Sequence, residues 1–489
     1  MNYSVAIPEN LTEDLYAHLI RRDGQEDLCF ALWNPSHGQV RTTALIQDIL
    51  LPRNGERWVH GNTSFLPPYF ERAVGEALKG NCGIAFLHSH PGPGWQDMSD
   101  DDIAAELGIA PRAFAVTELP LVGLTLGSDG TWSARFWERE SPYKYVRKWC
   151  ESVRSVGLEL RTSFADHLLP PPAEIEEQMR TVSAWGYEKQ AELSRLKVGI
   201  VGAGSVGSIV AEALARTGIS KIVLIDFDVV KKHNLDRLLH STRLDAYLGR
   251  PKVKTLGRAI RRSATDRHFH VTEVMYSVVE VEGFRAALDC DVLFSCVDRP
   301  LGRSVLNFIS FAHLIPVIDG GIRIEVDAGQ QMKAADWKIQ TSSPRRRCLE
   351  CVGQYTPAMA SLEREGFLDD PEYIKGLSKD DLLLRNENVF AFSANVASFE
   401  VLQLLQMVIA PSGISDAGEQ MYHFVPALFD PPVFETCKQN CPYPSLTAKG
   451  ERSGITVTSL SELASAMRNM YRKRPLYKRI IDAVLGDYS

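Results

Sequence analysis

Two histidines on alternate residues, His88 and His90, are the first side chains in the sequence whose type and spacing indicate a chemical role. Alternate residues of a β-strand point to the same side, so both imidazoles could bind one zinc ion. An acidic run, 100–102, follows at a predicted helix start and could supply a third ligand. Three protein ligands leave one position for water, which is typical of a catalytic zinc site. Taken alone, however, a His-x-His pair is more often an ordinary feature of a strand.

The wider pattern resembles the JAB/MPN (JAMM) metallopeptidases, whose signature is a glutamate, then His-Ser-His-Pro, then Ser-x-x-Asp. The similarity covers about residues 10–138. It implies three zinc ligands, a general base and a serine that stabilises the tetrahedral intermediate: His88, His90 and Asp102, then Glu26, then Ser99. Between His90 and Ser99 the chain is one residue longer than the commonest family spacing, which leaves Asp101 as an alternative ligand.

A second group of residues could bind a nucleotide. The turn Gly202-Ala-Gly204-Ser-Val-Gly207 lies between a predicted strand and a predicted helix, where backbone amides can approach a phosphate. Asp226 ends the next predicted strand, where a carboxylate can bind a ribose hydroxyl. These features alone predict a dinucleotide-binding fold, with NAD as the first candidate ligand.

The polar residues that come after Asp226 do not suit hydride transfer. They are, in order, Asp228, Asn234, Arg237, Lys252 and Asp298. An enzyme that splits ATP between its α- and β-phosphates needs cations on the triphosphate and a carboxylate for magnesium. The set therefore favours ATP, with Mg²⁺, over NAD.

The segments GAGSVGS, LIDFDVV, NLDR, LGRPK and CVD resemble, in this order, the ThiF/MoeB and ubiquitin-activating-enzyme family. The resemblance implies a ribose ligand, three phosphate contacts and a magnesium ligand: Asp226, then Asn234, Arg237 and Lys252, then Asp298. Arg180 matches the family's arginine that reaches the ATP site of a partner subunit, which implies a homodimer with two composite sites. A plain surface charge is the alternative reading of this arginine.

Four of the nine cysteines form two close pairs, Cys348 with Cys351 and Cys437 with Cys441. Four thiolates at such spacing bind zinc with no open position, which makes the site structural. The same family has two such pairs around its last helix, although the second pair here encloses three residues where two are usual. Free or redox-active thiols are the alternative.

A thioester-forming cysteine is missing from its expected place. Between Cys296 and the last predicted helix, near 388–410, the only cysteines are those assigned to zinc. We therefore predict that the enzyme stops at the acyl-adenylate. The alternative is that one cysteine pair does not bind metal.

The length of the chain and the elements predicted around these residues indicate an α/β protein of several domains. Apolar runs predict strands at LCFALW, TTALIQDILL, GIAFLHSH and LVGLTL, with a helix at Phe70–Leu78 between two of them. A strand, helix and strand from Leu196 open a doubly wound Rossmann-like sheet. We divide the 489 residues into a JAB/MPN-like domain, a helical linker, an adenylating domain and a basic helical tail: 1–140, 141–195, 196–447 and 448–489. The tail is predicted to end in one amphipathic helix, Leu460–Leu485, whose charges form a solvated face.

Composition excludes several function classes. The net charge of −7 does not favour nucleic acid as a main partner. No apolar run approaches the length of a membrane span, and the first residues lack the pattern of a signal peptide. We therefore expect a cytoplasmic protein whose cysteines are reduced.

Together, the two resemblances predict a bifunctional enzyme that acts on a ubiquitin-like or sulfur-carrier protein with a Gly-terminated tail. One half would adenylate that glycine, and the other would cut a bond that follows it. A conjugating enzyme is a further candidate partner, and bacterial operons with such parts resemble ubiquitin pathways, some of which serve phage defence. Two alternatives stay open: a sulfur-carrier activator whose JAMM domain trims the carrier, and an inactive JAMM domain that only binds it.

Overall fold

The computed structural model describes residues 1–60, 62–327, 329, 331–369 and 388–485. Its amino-terminal domain is built on one large mixed sheet and a small hairpin. The strands are β1 (Asn2–Pro8), β2 (Leu28–His37), β3 (Arg41–Leu50), β4 (Arg57–His60), β5 (Asn62–Phe65), β6 (Gly83–Ser89), β7 (Leu121–Leu126), β8 (Trp132–Ser141), β9 (Lys144–Trp149), β10 (Ser152–Val156) and β11 (Leu160–Phe164). The large sheet has the order β11-β10-β1-β3-β2-β6-β7-β8-β9, and β4 pairs with β5.

Three helices cover this sheet: Glu9–Leu19, Pro67–Gly80 and Asp100–Thr117. Apolar side chains fill both faces of the central strands, since residues such as Phe30 and Ala31 alternate between two separate cores. All four strands predicted here are present, and the predicted helix Phe70–Leu78 lies within Pro67–Gly80.

The predicted helical linker is wrong in its first half. Residues 144–164 form β9, β10 and β11, which extend the amino-terminal sheet at both edges. Charged and apolar residues do not alternate strictly in Lys144–Trp149, so no period of two marks this segment as a strand. Helices begin only later, at Met179–Trp185 and Tyr187–Arg195.

The second domain is the predicted doubly wound sheet. Its strands are β12 (Lys197–Val201), β13 (Lys221–Ile225), β14 (His270–Val274), β15 (Val292–Ser295), β16 (Val317–Val326), β17 (Met332–Ser342), β18 (Gln420–His423) and β19 (Leu428–Phe429). They follow the order β14-β13-β12-β15-β16-β17-β18-β19. The first five strands are parallel and the last three antiparallel, so the carboxyl ends of β13, β12 and β15 meet at one edge.

The helices of this domain are Ser205–Thr217, Arg243–Leu248, Lys252–Ser263, Val281–Leu288, Pro300–Ala312, Pro357–Arg364 and Phe390–Ile409. The last of these is the one described helix that is long and apolar enough to cross a membrane by length and composition. It packs against helix Ser205–Thr217 and strands β16 and β17, with more than half of its apolar stretch buried. This position is that of a core helix. It agrees with the prediction that an apolar helix closes the fold.

The tail contains two helices instead of one, Glu462–Arg472 and Leu476–Leu485. Pro475 lies between them, and proline cannot donate the backbone hydrogen bond that a continuous helix needs. Neither helix is merely solvated, because Arg468 of the first helix and Asp482 of the second contact the second domain.

The two domains share a buried polar interface. Arg41 Nη1 lies 2.6 Å from Asp291 Oδ1, and Arg154 Nη1 lies 3.3 Å from the same oxygen. Ser36 Oγ and His313 Nδ1 are 2.8 Å apart, also buried. Residues of β2, β3 and β10 of the first domain thus contact the second domain before β15 and after helix Pro300–Ala312.

Candidate functional site

Strand β6 and the start of helix Asp100–Thr117 bring three of the predicted zinc ligands together. His88 Nε2 and His90 Nε2 lie 3.2 Å apart, and each lies 3.2 Å from an oxygen of Asp102. Donor atoms of a tetrahedral zinc site are about 3.3 Å apart when metal–ligand bonds are about 2.0 Å long. The three side chains therefore fit one zinc ion.

The helix start explains why Asp102, and not Asp101, lies beside the imidazoles. Ser99 caps the helix: its hydroxyl accepts from the Asp102 amide, and both its amide and its hydroxyl donate to Asp102 Oδ2 at 2.8 Å. Burial alone would raise the pKa of Asp102, but contacts with His88 and His90 outweigh it and hold that pKa well below its usual range. Asp101 is exposed.

Glu26 lies two residues before Leu28, which begins β2 and pairs with His88. Burial raises the pKa of its carboxyl, while the charges of His90 and His88 pull the other way. Its carbonyl oxygen accepts a hydrogen bond from Thr63 on the β4–β5 hairpin. The predicted base is thus within electrostatic reach of the three-ligand cluster.

Behind this cluster lies a buried network that sequence reasoning missed. Thr125 Oγ1 lies 3.4 Å from His88 Nε2 and accepts from Arg135 Nη1 at 2.6 Å. Arg135 in turn pairs with Glu106, and all three residues have no exposed surface. They come from β7, β8 and helix Asp100–Thr117, and no local spacing marks them. The one available signal was Arg135, a charged residue among mostly apolar residues in the first half of strand β8.

The glycine turn of the second domain has the shape that phosphate binding needs. Gly202 has φ +99°, and a Cβ there would lie 2.3 Å from the Cys296 carbonyl oxygen. A Cβ on Gly207 would lie 1.9 Å from the Gly202 oxygen. In contrast, a Cβ on Gly204 would meet nothing within 4 Å. Open space therefore lies in front of the turn, at the start of helix Ser205–Thr217.

Acidic residues and one lysine gather at the carboxyl ends of the parallel strands. Asp226, after β13, accepts from the amides of Ala203 and Asp228, each at 2.7 Å. Lys252 Nζ lies 2.8 Å from Asp228 Oδ2. Burial would lower the pKa of Lys252, but Asp226, Asp228 and, more weakly, Asp298 raise it. The predicted phosphate lysine and the predicted magnesium ligand are thus close enough to interact.

The remaining predicted nucleotide residues differ in their surroundings. Asn234 is buried, and its side-chain oxygen accepts from the Lys231 amide at 3.0 Å. Arg237 Nη1 donates to the His233 carbonyl oxygen at 2.7 Å. Asp298 is exposed. Arg180 is also exposed, on helix Met179–Trp185, and its side chain makes no hydrogen bond or ion pair with the described part of the chain.

The four paired cysteines converge, as predicted for a zinc site. Their sulfur atoms all lie within 4.8 Å of one another, and Cys348 Sγ is 3.6 Å from Cys441 Sγ. Sulfur atoms of a tetrahedral zinc site are about 3.8 Å apart when Zn–S bonds are about 2.3 Å long. The amides of Cys348 and Cys351 donate to sulfurs of the cluster, which suits thiolates. A hydrogen bond with Cys437 lowers the pKa of Cys348 to about 5. This set fits a closed, structural zinc ion.

Known proteins resemble the second half of the chain. The molybdopterin-synthase adenylyltransferase of Escherichia coli (strain K12) is 33% identical over 165 residues, covering 33% of this chain and 62% of the relative. The ubiquitin-like modifier-activating enzyme 5 of Gallus gallus is 32% identical over 133 residues, covering 25% of this chain and 32% of the relative. The chain thus spans less than two thirds of the length of these relatives.

A solved structure of E. coli MccB with ATP is 17% identical and covers 55% of this chain and 74% of its own, with a TM-score of 0.43. A TM-score below 0.5 does not support placing this chain in a family. The model of the ThiF family, in contrast, matches residues 175–441, which is more than half of the chain and contains the glycine turn, the acidic cluster and all four paired cysteines. The chain belongs to the ThiF family.

Proposed function

We propose that the second domain uses ATP and Mg²⁺ to adenylate the carboxy-terminal glycine of a ubiquitin-fold carrier protein. The observation that carries this proposal is the position of Lys252 among Asp226, Asp228 and Asp298, beside an open glycine turn. A cation at that point can neutralise the triphosphate, and an exposed carboxylate can hold magnesium. The family and the names of its adenylating relatives support the proposal.

Within this activity, the residues of the chain have separate tasks. The amides of the glycine turn would face the phosphates, while Lys252 and Arg237 would compensate the charge that builds up on the leaving pyrophosphate. Asp226 holds the turn in place through the Ala203 amide and keeps lone pairs for the ribose. Arg180, exposed and unpaired within the described residues, would complete the site of a second copy in a homodimer.

We further propose that the amino-terminal domain is a zinc peptidase or isopeptidase of the JAMM type acting on the same carrier. His88, His90 and Asp102 would hold the metal, which when bound supplies an activated water. Glu26 would accept a proton from that water because it lies close to the two histidines. Ser99 would donate its hydroxyl to the tetrahedral intermediate once Asp102 is engaged by metal. The chain would thus serve a ubiquitin-like modification pathway.

One alternative has an observation of its own. The similarity to molybdopterin-synthase adenylyltransferase favours activation of a sulfur carrier for cofactor or thio-metabolite biosynthesis. The similarity to ubiquitin-like modifier-activating enzymes favours protein modification. Incubation with carrier, ATP and a cell extract separates them: modification yields carrier–protein conjugates, whereas biosynthesis yields a carrier thiocarboxylate and no conjugate.

The two proposed activities can be tested with reciprocal variants. Asp298→Ala should reduce carrier-dependent ATP–pyrophosphate exchange at least 100-fold, because magnesium and its charge are lost. It should leave cleavage of a carrier with a short carboxy-terminal extension unchanged. Glu26→Gln should show the opposite pattern. Loss of both activities in each folded variant would contradict two independent sites.

A further inference from the structure

The carboxy-terminal tail is the one sequence feature that the proposed function does not use. Its two helices, Glu462–Arg472 and Leu476–Leu485, lie against the second domain at two places. One contact is with residues 245–252, which run from the end of helix Arg243–Leu248 through a short turn to Lys252 at the start of the next helix. The other contact is with loop 275–280, which follows strand β14.

The first contact reaches the residues just before Lys252. Arg250 is almost fully buried, and its guanidinium lies between Asp245 (2.7 Å) and Asp482 (2.5 Å), the latter on the last tail helix. The Arg250 carbonyl oxygen accepts from the Val230 amide at 2.8 Å. Since Arg250 and Lys252 are separated by one proline, fixing the arginine side chain also fixes where the lysine begins its helix.

Asp482 is shared between two arginines. One carboxylate oxygen accepts from Arg250, and the other accepts from Arg474 at 3.0 Å. Arg474 also donates to the Leu248 carbonyl oxygen at 3.0 Å and stacks over the Tyr471 ring at 3.8 Å. Hydrogen bonds between charged groups that are shielded from water are strong and directional. The tail therefore holds segment 245–252 by the Leu248 carbonyl group as well as by the Arg250 side chain.

The second contact reaches the loop after β14. Arg468 donates two hydrogen bonds to Glu280, at 2.7 and 2.6 Å, and its guanidinium lies 4.2 Å from the Tyr276 ring centroid. Glu280 in turn accepts from the Ser277 amide at 2.9 Å. The start of this loop is next to the site, because the Asp226 amide donates to Val274 at the end of β14.

We propose that residues 459–485 form a tail strap that positions segment 245–252 and loop 275–280 beside the nucleotide site, with Asp482 acting through Arg250 on Lys252. This rests on the proposed adenylating function. Asp482 and Arg468 do not themselves reach Lys252 or Asp298. They are positioning residues whose loss leaves the catalytic groups present but less well placed, which costs affinity and rate.

The test compares two tail variants of the full chain. Asp482→Asn keeps the size of the side chain and removes its charge, and Glu462→Gln makes the same kind of change at an exposed tail position. In ATP–pyrophosphate exchange, Asp482→Asn should raise the KM for ATP roughly tenfold, and Asp482→Glu should recover much of that loss. Glu462→Gln should behave as the unaltered protein.

A second readout does not depend on activity. Hydrogen–deuterium exchange of amides 245–254 should be faster in Asp482→Asn than in Glu462→Gln. Arg468→Lys, which keeps the charge but cannot make two parallel bonds to Glu280, should speed exchange at 275–280. Unchanged exchange in both variants, or an unchanged KM in a folded Asp482→Asn protein, would overturn the proposal. If the unaltered protein shows no pyrophosphate exchange, the proposed function fails, and the amide exchange alone decides whether the strap holds these loops.

Discussion

Single residues decide the metal chemistry of the amino-terminal domain. Ser99 caps helix Asp100–Thr117, and the reciprocal bonds of this cap turn Asp102 toward His88 and His90. Successive helical residues point about 100° apart, so only one of two neighbouring carboxylates can face the imidazoles. The choice between Asp101 and Asp102, which spacing left open, thus depends on a hydrogen bond at the start of the helix.

Paired variants of these carboxylates test the site. The full chain should contain about two zinc ions, one in each cluster. Asp102→Asn should reduce this to about one, because the amide binds zinc poorly, while Asp101→Asn should retain both. Metal analysis of the purified proteins measures the difference. The reverse pattern would move the ligand to Asp101, and two zinc ions in both variants would exclude either carboxylate.

The cysteines lead to a second prediction at the residue scale. We expect no enzyme–carrier thioester, since four thiols converge as a zinc site. Burial raises the pKa of the Cys290 thiol to about 12 and that of Cys296 well above its usual value, so neither is an available nucleophile at neutral pH. A non-reducing gel of enzyme, carrier, ATP and magnesium is the measurement. A reductant-sensitive band lost in one folded Cys→Ala variant would contradict the expectation.

At the scale of elements, the glycine turn shows which positions are steric and which face a ligand. Gly202 and Gly207 lie against backbone that a Cβ would overlap, whereas Gly204 lies against open space. The same motif thus contains glycines required by the fold and one that is free for an incoming phosphate. The three glycines are alike in the sequence, and only their packing separates them.

Alanine at two of these positions should therefore have different effects. Gly207→Ala should lower the free energy of unfolding by about 3 kcal/mol, because the methyl group overlaps the Gly202 carbonyl oxygen. Gly204→Ala should leave stability nearly unchanged and reduce ATP affinity instead. Urea unfolding and ATP binding measure the two effects. Equal destabilisation by both substitutions would contradict this division.

Elements with strong local patterns were predictable, and long-range polar contacts were not. The apolar strands of both sheets and the closing helix were found where periodicity placed them. Strand β9 was missed because its six residues mix charged and apolar side chains without a period of two. The tail was predicted as one helix because its charge pattern is continuous, although Pro475 interrupts the helix. The buried pair Arg135–Glu106 joins residues 29 positions apart, and nothing local to either residue indicates the other.

At the scale of the whole molecule, the buried interface couples the two domains. Asp291 of the second domain forms ion pairs with Arg41 and Arg154 of the first domain, and His313 forms a hydrogen bond with Ser36. His313 packs between the rings of Phe284 and Phe308 and has almost no exposed surface. Burial lowers its pKa from 6.5 to about 4, with the Glu451 charge acting weakly in the opposite direction.

This histidine gives the interface a pH dependence of known sign. Above pH 6.5 it is neutral in both folded and unfolded states, and its contribution to stability is fully present. Between pH 6.5 and about 4 the unfolded state binds the proton first, so stability falls by up to about 3 kcal/mol. His313→Gln should lack this part of the loss. Urea unfolding of both proteins at pH 7.5 and 4.5 measures it, and parallel losses would contradict it.

The proposed function of the whole chain depends on its forming an acyl-adenylate on a carrier protein. The most direct measurement is mass spectrometry of ubiquitin-fold proteins ending in Gly-Gly, from the same genome, after incubation with the full chain, ATP and magnesium. We expect a carrier whose mass increases by one AMP, with pyrophosphate released, and no such species with Lys252→Ala or Asp298→Ala. Absence of the adenylate with every such carrier, while the protein binds ATP, would contradict it.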